Sequence, residues 1–140
     1  MSENLTGNAL TLENIEKIAA ENFARWNATL LSKDPKQVAA LYTDDATFLP
    51  TMSGEFKRGQ TGAEEYFHHF LEKSPSGVVV NGAVQMLSPN SYLHSGLYNF
   101  TVGPDENRQV VEARFTYAWQ QDAQGNWKIS HHHSSAKPQG

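Results

Sequence analysis

The chain of 140 residues contains no cysteine. Disulfides, thiolate metal centres and a cysteine nucleophile are therefore excluded. Charge of one sign is scarce too. Eleven Lys and Arg stand against fifteen Asp and Glu, a formal net charge of -4, with the two signs interspersed. No basic stripe or polybasic patch exists, so neither nucleic acid nor a membrane surface is an expected partner. No apolar run approaches the roughly 20 residues of a membrane-spanning helix. The opening stretch MSENLTGNALTLENIEK lacks the apolar centre and cleavage site of a secretory signal, so a cytoplasmic protein is expected. Repeats, linkers and low-complexity segments are missing as well. The length suits one domain with its own core. Residues 1–10 read as a flexible N-terminus and 11–138 as the domain.

What is present divides into helices first and strands after. Leu12, Ile15, Ile18, Ala19, Phe23, Trp26 and Leu30 recur at three- and four-residue steps, which predicts one long amphipathic helix with Thr11 as its N-cap. Asp34-Pro35 opens a short second helix carrying Val38, Leu41 and Tyr42. DATFLPTMSGEFKRG reads as two short strands around Ser53-Gly54. Thr61-Gly62-Ala63-Glu64 has capping-box spacing and should open a third helix that buries Tyr66, Phe67, Phe70 and Leu71. Strands are expected over 78–87, 91–102, 109–121 and 126–135, with turns at Pro89-Asn90, Gly103-Pro104-Asp105 and Ala123-Gln124-Gly125. Helices followed by a strand meander make an α+β fold, a curved antiparallel sheet wrapped over the long helix with a pocket between them.

The most informative stretch is KISHHHSSAKP, residues 128–138. It continues a strand without a break, unlike a purification tag. Successive strand side chains face opposite ways. With Trp127 and Ile129 toward the core, strict alternation puts His131, His133 and Ser135 on that same face and His132 on the other. At most two of the three histidines then converge, whereas a catalytic zinc site takes three protein ligands. His94 or a carboxylate would have to complete a metal site. Two histidines and a serine on one face, near Arg114 and Thr116, must bond each other, water or a ligand. A polar pocket at the strand end is the expectation. His68-His69 read as surface residues, and Asp44-Asp45 as a turn into the first strand, with Asp45 a minor candidate base.

ARFTYAWQQDAQGNWKISHHHSSAKP resembles the C-terminal hairpin of the calcium/calmodulin-dependent protein kinase II association-domain family, which has the nuclear transport factor 2-like (SnoaL-like) cone fold. LYTDDATFLPT before the third helix fits the same fold, so the resemblance spans about Thr11 to Pro138. HHHSS within the hairpin is similar more narrowly to the iota-class carbonic anhydrases. That narrower likeness implies a lyase that hydrates carbon dioxide reversibly to bicarbonate. Some members of that class work without a metal through Thr, Tyr, His and Ser side chains; others are described with zinc or manganese. The resemblance assigns catalytic roles to His133, Ser135, Thr47 and Tyr66, with no cofactor and with zinc or manganese as the alternative. Thr51, Tyr98, Thr116 and Tyr117 are substitutes for the hydroxyl roles.

In such a site His133 would accept the proton of water, since an unperturbed imidazole titrates near pH 6.5. His131 would fix its tautomer or pass the proton on. Hydroxyls would hold the water and steady the developing oxyanion. Arg114, Tyr98 and Thr116 join His131 as substrate-binding candidates, and Phe48, Phe67 and Trp127 as the apolar wall. A non-catalytic association module and another small-molecule enzyme of this fold stay open as alternatives. Tyr92, Tyr98, Phe115, Tyr117 and Trp119 exceed what one pocket needs, which points to a homodimer through the sheet.

Overall fold

The computed structural model describes residues 9–139. Of the segment expected to be flexible, residues 1–8 lie outside this range. Leu10, at its end, is buried, and its N–H donates to the carbonyl of Pro89 at 2.7 Å. Helix α1 runs Ile15–Ser32 and α2 runs Pro35–Ala39. Strands β1 (Tyr42–Leu49) and β2 (Lys57–Arg58) precede α3 (Gly59–Phe70). Four long strands follow: β3 (Ser76–Ser88), β4 (Ser91–Val102), β5 (Gln109–Gln121) and β6 (Trp127–Ala136). They form one six-stranded sheet in the order β2-β1-β6-β5-β4-β3, antiparallel except where β1 runs parallel to β6. Among the described residues no helix is long and apolar enough to cross a membrane.

The stripe on α1 does what its spacing requires. Ile15, Ala19, Phe23, Trp26 and Leu30 are buried against the concave face of the sheet. Trp26 is the hub, with its ring 5.6–6.2 Å from those of Phe67, Phe100, Tyr117 and His132. Asp34 caps α2 by accepting from the Lys36 N–H, and Pro35 takes the first turn as expected.

Two helix starts differ from expectation. Thr11 and Asn14 bond each other reciprocally, and α1 begins only after that turn. Helix α3 begins at Gly59, so Thr61 lies inside the first turn instead of capping it. Gly59 has φ +67°, and a Cβ there would stand 2.7 Å from the carbonyl oxygen of Asp44. That close approach, invisible in helical spacing, sets the start. Tyr42, expected on α2, opens β1 and is fully buried.

The decisive departure is in β6. Ala118 pairs with His131, but Trp119 pairs with Ile129. Ser130 is thus an extra residue, a bulge, and alternation reverses across it. Trp127 and Ile129 face the core as expected, yet beyond the bulge it is His132 and Ser134 that are buried. His133 is exposed, and His131 and Ser135 are half-buried on the convex face. The expected inward placement of His131, His133 and Ser135 is therefore corrected. The five aromatics offered as a dimer surface are also all buried on the concave side. Their number fills the core and is no argument for a sheet-mediated partner.

Truncating the hub tests this packing. Trp26→Ala should lower stability by about 3–5 kcal/mol. Leu31→Ala, on the exposed side of α1, should stay within about 0.5 kcal/mol. Urea unfolding of both variants measures the contrast.

Candidate active site

His132 sits at the centre of the fold between two flat rings. The Tyr117 ring stacks on one side at 4.1 Å and the Phe48 ring on the other at 4.9 Å. Both ring nitrogens are engaged. Nδ1 meets the Tyr42 hydroxyl at 2.9 Å, and Nε2 meets the Tyr98 hydroxyl at 3.1 Å.

The directions of these bonds follow from what each group can do. Trp26 Nε1–H can only donate, and it donates to the Tyr42 oxygen at 3.2 Å. At the other end, Tyr98 donates its hydrogen to Ser134 Oγ at 2.5 Å. Tyr98 must then accept from Nε2–H, which leaves Nδ1 as the acceptor for Tyr42. The network assigns a neutral imidazole, protonated on Nε2. Ser134 Oγ also bonds Thr51 Oγ1. A directed chain runs from Trp26 through Tyr42, His132 and Tyr98 to Ser134, and Thr51 shares a hydrogen bond with its last hydroxyl.

The chain ends at a cavity. His132, Ser134, Thr51, Tyr98 and Tyr66 line it, with Trp26, Phe48, Phe67, Phe70 and Phe100 as apolar wall. Its volume is about 10 Å³, the room of roughly one water molecule. Tyr66 and Phe70 also line a larger outer pocket of about 390 Å³ bounded by Met52, Lys57, Glu65 and Lys73. The Met52 N–H donates to the Tyr66 hydroxyl at 3.4 Å across the seam between the two.

Burial holds the His132 imidazole well below the ordinary histidine range, and the neighbouring His131 and His133 add to this. Burial likewise raises the Tyr42, Tyr66 and Tyr98 hydroxyls above the ordinary range, so all stay protonated donors.

The eight expected site residues divide between the two faces of the sheet. Tyr66 and Tyr98 line the interior cavity. Thr47, His131, His133, Ser135, Arg114 and Thr116 lie on the convex face. There Thr47 Oγ1 bonds His131 Nδ1 at 2.7 Å, and Thr116 and Arg114 pair in register with His133 and Ser135. The residues missed were His132, Ser134, Tyr42 and Trp26; Thr51 was weighed only as a substitute. The signal for His132 and Ser134 lay in the preceding strand. Phe115, Tyr117 and Trp119 mark the buried face of β5, and Ser134 and His132 pair with the first two.

The donors do not suit a zinc or manganese centre. His132 points inward while His131 and His133 point away, and among the described residues no three His, Asp or Glu side chains are grouped to hold a metal ion.

A nuclear transport factor 2-like superfamily protein from Salmonella enterica superposes with a TM-score of 0.75 at 18% identity, over 92% of this chain and 95% of that one. A second protein, from Novosphingobium aromaticivorans, gives 0.74 at 16% identity, over 93% of each chain. Identities this low establish the fold, which is nuclear transport factor 2-like. The profile of the calcium/calmodulin dependent protein kinase II association domain matches residues 16–138, and the chain belongs to that family. A solved structure from Xanthomonas campestris, described as such an association domain, is 34% identical over 99% of this chain and 100% of its own, with a TM-score of 0.86. The comparison with curated proteins returned no match.

The protonation state of His132 makes stability depend on pH. Its folded pKa lies below the unfolded value of about 6.5, so the unfolded state binds the extra proton. Stability is then full above about pH 6.5 and falls as pH drops toward the folded pKa. Burial shifts His94 and His131 the same way. Urea midpoints between about pH 7.5 and 5 should fall in the parent protein, and His132→Phe should flatten that slope.

Proposed function

We propose that the interior cavity hydrates carbon dioxide reversibly to bicarbonate, through a site built on His132 in place of His133. The observation that carries this reading is the directed chain that ends in hydroxyls on the wall of a water-sized cavity. The cavity has room for the water alone, and carbon dioxide, small, linear and uncharged, meets it from the adjoining outer pocket along the shared wall of Tyr66 and Phe70. The same likeness of HHHSS to iota-class carbonic anhydrases supports the reaction class.

The chemistry differs from that of a histidine base. Both nitrogens of His132 are occupied, and burial disfavours its protonation. Its part is to polarise. Nε2–H donates into Tyr98, which donates into Ser134, so the hydroxyls at the cavity offer hydrogens to an anion. Donors fixed in this way bind hydroxide better than water and so lower the pKa of bound water. Water gives its proton to a base of the outer pocket, which His69 and Glu65 line, and from there it passes to solvent. The hydroxide oxygen adds to the carbon of carbon dioxide, one C–O π pair moves to oxygen, and the same donors hold the resulting bicarbonate. Dehydration runs these steps backward.

The family match supports a second reading, a non-catalytic association module whose interior chain serves only to order the core. In that case oligomers form and no variant of the chain has an activity to lose.

Stopped-flow hydration of carbon dioxide by chelator-dialysed protein separates the two. Tyr98→Phe, Ser134→Ala and His132→Gln should each lower kcat/KM by about 100-fold or more, while His133→Ala should stay within about twofold. Equal loss in His133→Ala would return the site to the convex face. Absence of any hydration, with oligomers in sedimentation, would favour the association module.

A further inference from the structure

The outer pocket of about 390 Å³ beside the His132 cavity is lined by Glu55, Lys57, Glu65, His69 and Lys73, together with Tyr66 and Phe70. The proposed hydration releases one proton per turnover, and a group in this pocket must carry it away. What each side chain already does decides between them.

A lysine ammonium has hydrogens to give and no lone pair to receive with, which removes Lys57 and Lys73. Lys57 Nζ stands 2.6 Å from a carboxylate oxygen of Glu55 and 3.5 Å from one of Glu65. Both carboxylates are therefore tied to the same ammonium. His69 differs. Among the described residues no hydrogen bond or ion pair engages its ring nitrogens, and its ring lies edge-on to that of His68 at 5.2 Å. It is exposed, and it also lines an open pocket on the flank of α3 with Thr61, Glu64 and His68. His69 thus stands at a rim, reached both from the outer pocket and from the solvent beyond it. Imidazole is the side chain that exchanges protons in both directions near neutral pH.

Tyr66 supplies the passage from the cavity. It lines both spaces. Its oxygen accepts from the Met52 N–H, which leaves its own hydrogen to be given outward. Tyr66 precedes His69 by three residues on α3, so the two share a face of the helix. The pocket between them has room for a short chain of waters.

We infer that His69 is the proton carrier of this site, taking the proton that the cavity water gives up and handing it to solvent. This role rests on the proposed hydration. The O–H bond of the cavity water breaks, and its electron pair stays on the hydroxide that adds to carbon dioxide. The proton enters the Tyr66 hydroxyl or a pocket water, which passes one on to a ring nitrogen of His69. The imidazolium then releases it to buffer, and the starting state is restored.

Stopped-flow hydration by the full-length, chelator-dialysed protein in dilute buffer tests this. Carbon dioxide meets the hydroxide form, so kcat/KM reads the addition, whereas loss of the next water's proton enters kcat alone. His69→Ala should lower kcat about 100-fold and leave kcat/KM within about twofold. Free imidazole in the buffer should restore kcat. His68→Ala, which alters the flank pocket and not the outer one, should leave both constants as in the parent. Both histidines are exposed, so neither variant disturbs the core. An unchanged kcat in His69→Ala, a fall that imidazole does not restore, or an equal fall in His68→Ala overturns this role while hydration itself stands. A parent protein without hydration activity overturns both.

Discussion

A neutral imidazole at the centre of a folded core must have both nitrogens satisfied, one as donor and one as acceptor. At His132 that requirement organises everything around it. Tyr42 at the start of β1, Tyr98 in the middle of β4 and Trp26 on α1 come from distant parts of the chain. Tyr42 and Tyr98 each bond a nitrogen of this one ring, and Trp26 donates to the Tyr42 hydroxyl behind it. Two flat aromatic faces close it above and below. Removing any one partner leaves another buried polar atom unpaired, which costs more than the bond contributed. The hydrophobic stripe of α1 and the polar chain are thus the same structure seen twice, since Trp26 belongs to both.

The polarity of the chain has a chemical consequence. Its direction is set by Tyr98, which gives its hydrogen to Ser134 and so must accept from His132 Nε2–H. From Trp26 outward each oxygen accepts from behind and gives forward, until Ser134 is reached. A cavity at such a terminus meets hydrogens and favours negative charge, although no cation lines it. This differs from a histidine working as a base, and it follows from burial. Deep in the core the imidazole is a poor proton acceptor but a well-fixed dipole. The proposed hydration of carbon dioxide rests on that distinction.

Much of the fold was legible in the residues. The three- and four-residue steps from Leu12 to Leu30 located α1, Asp34-Pro35 located α2, and the turn residues bounded the four long strands closely. The two-state character of HHHSS, one set of side chains in and the other out, was legible too. Which set goes in was not, because parity survives only as long as the strand has no bulge. Ser130 carries no sign of being the extra residue; its Oγ simply donates to the Ala118 carbonyl at 3.3 Å. The pairing partner on β5 decides, and cross-strand register is a property of the hairpin, not of the strand read alone. Gly59 is similar. Its left-handed backbone fits one close approach to Asp44 that only the tertiary fold reveals.

The central claim is the inward, neutral and doubly bonded state of His132. A long-range proton–nitrogen correlation spectrum of the histidine rings, followed from about pH 8 to 5.5, tests it most directly. The account predicts one imidazole with a slowly exchanging Nε2–H, an acceptor-type Nδ1 and no titration across that range, lost in His132→Gln. If no histidine shows that pattern, or if the one that does is His131 or His133, the bulge at Ser130 and the site built on it are wrong.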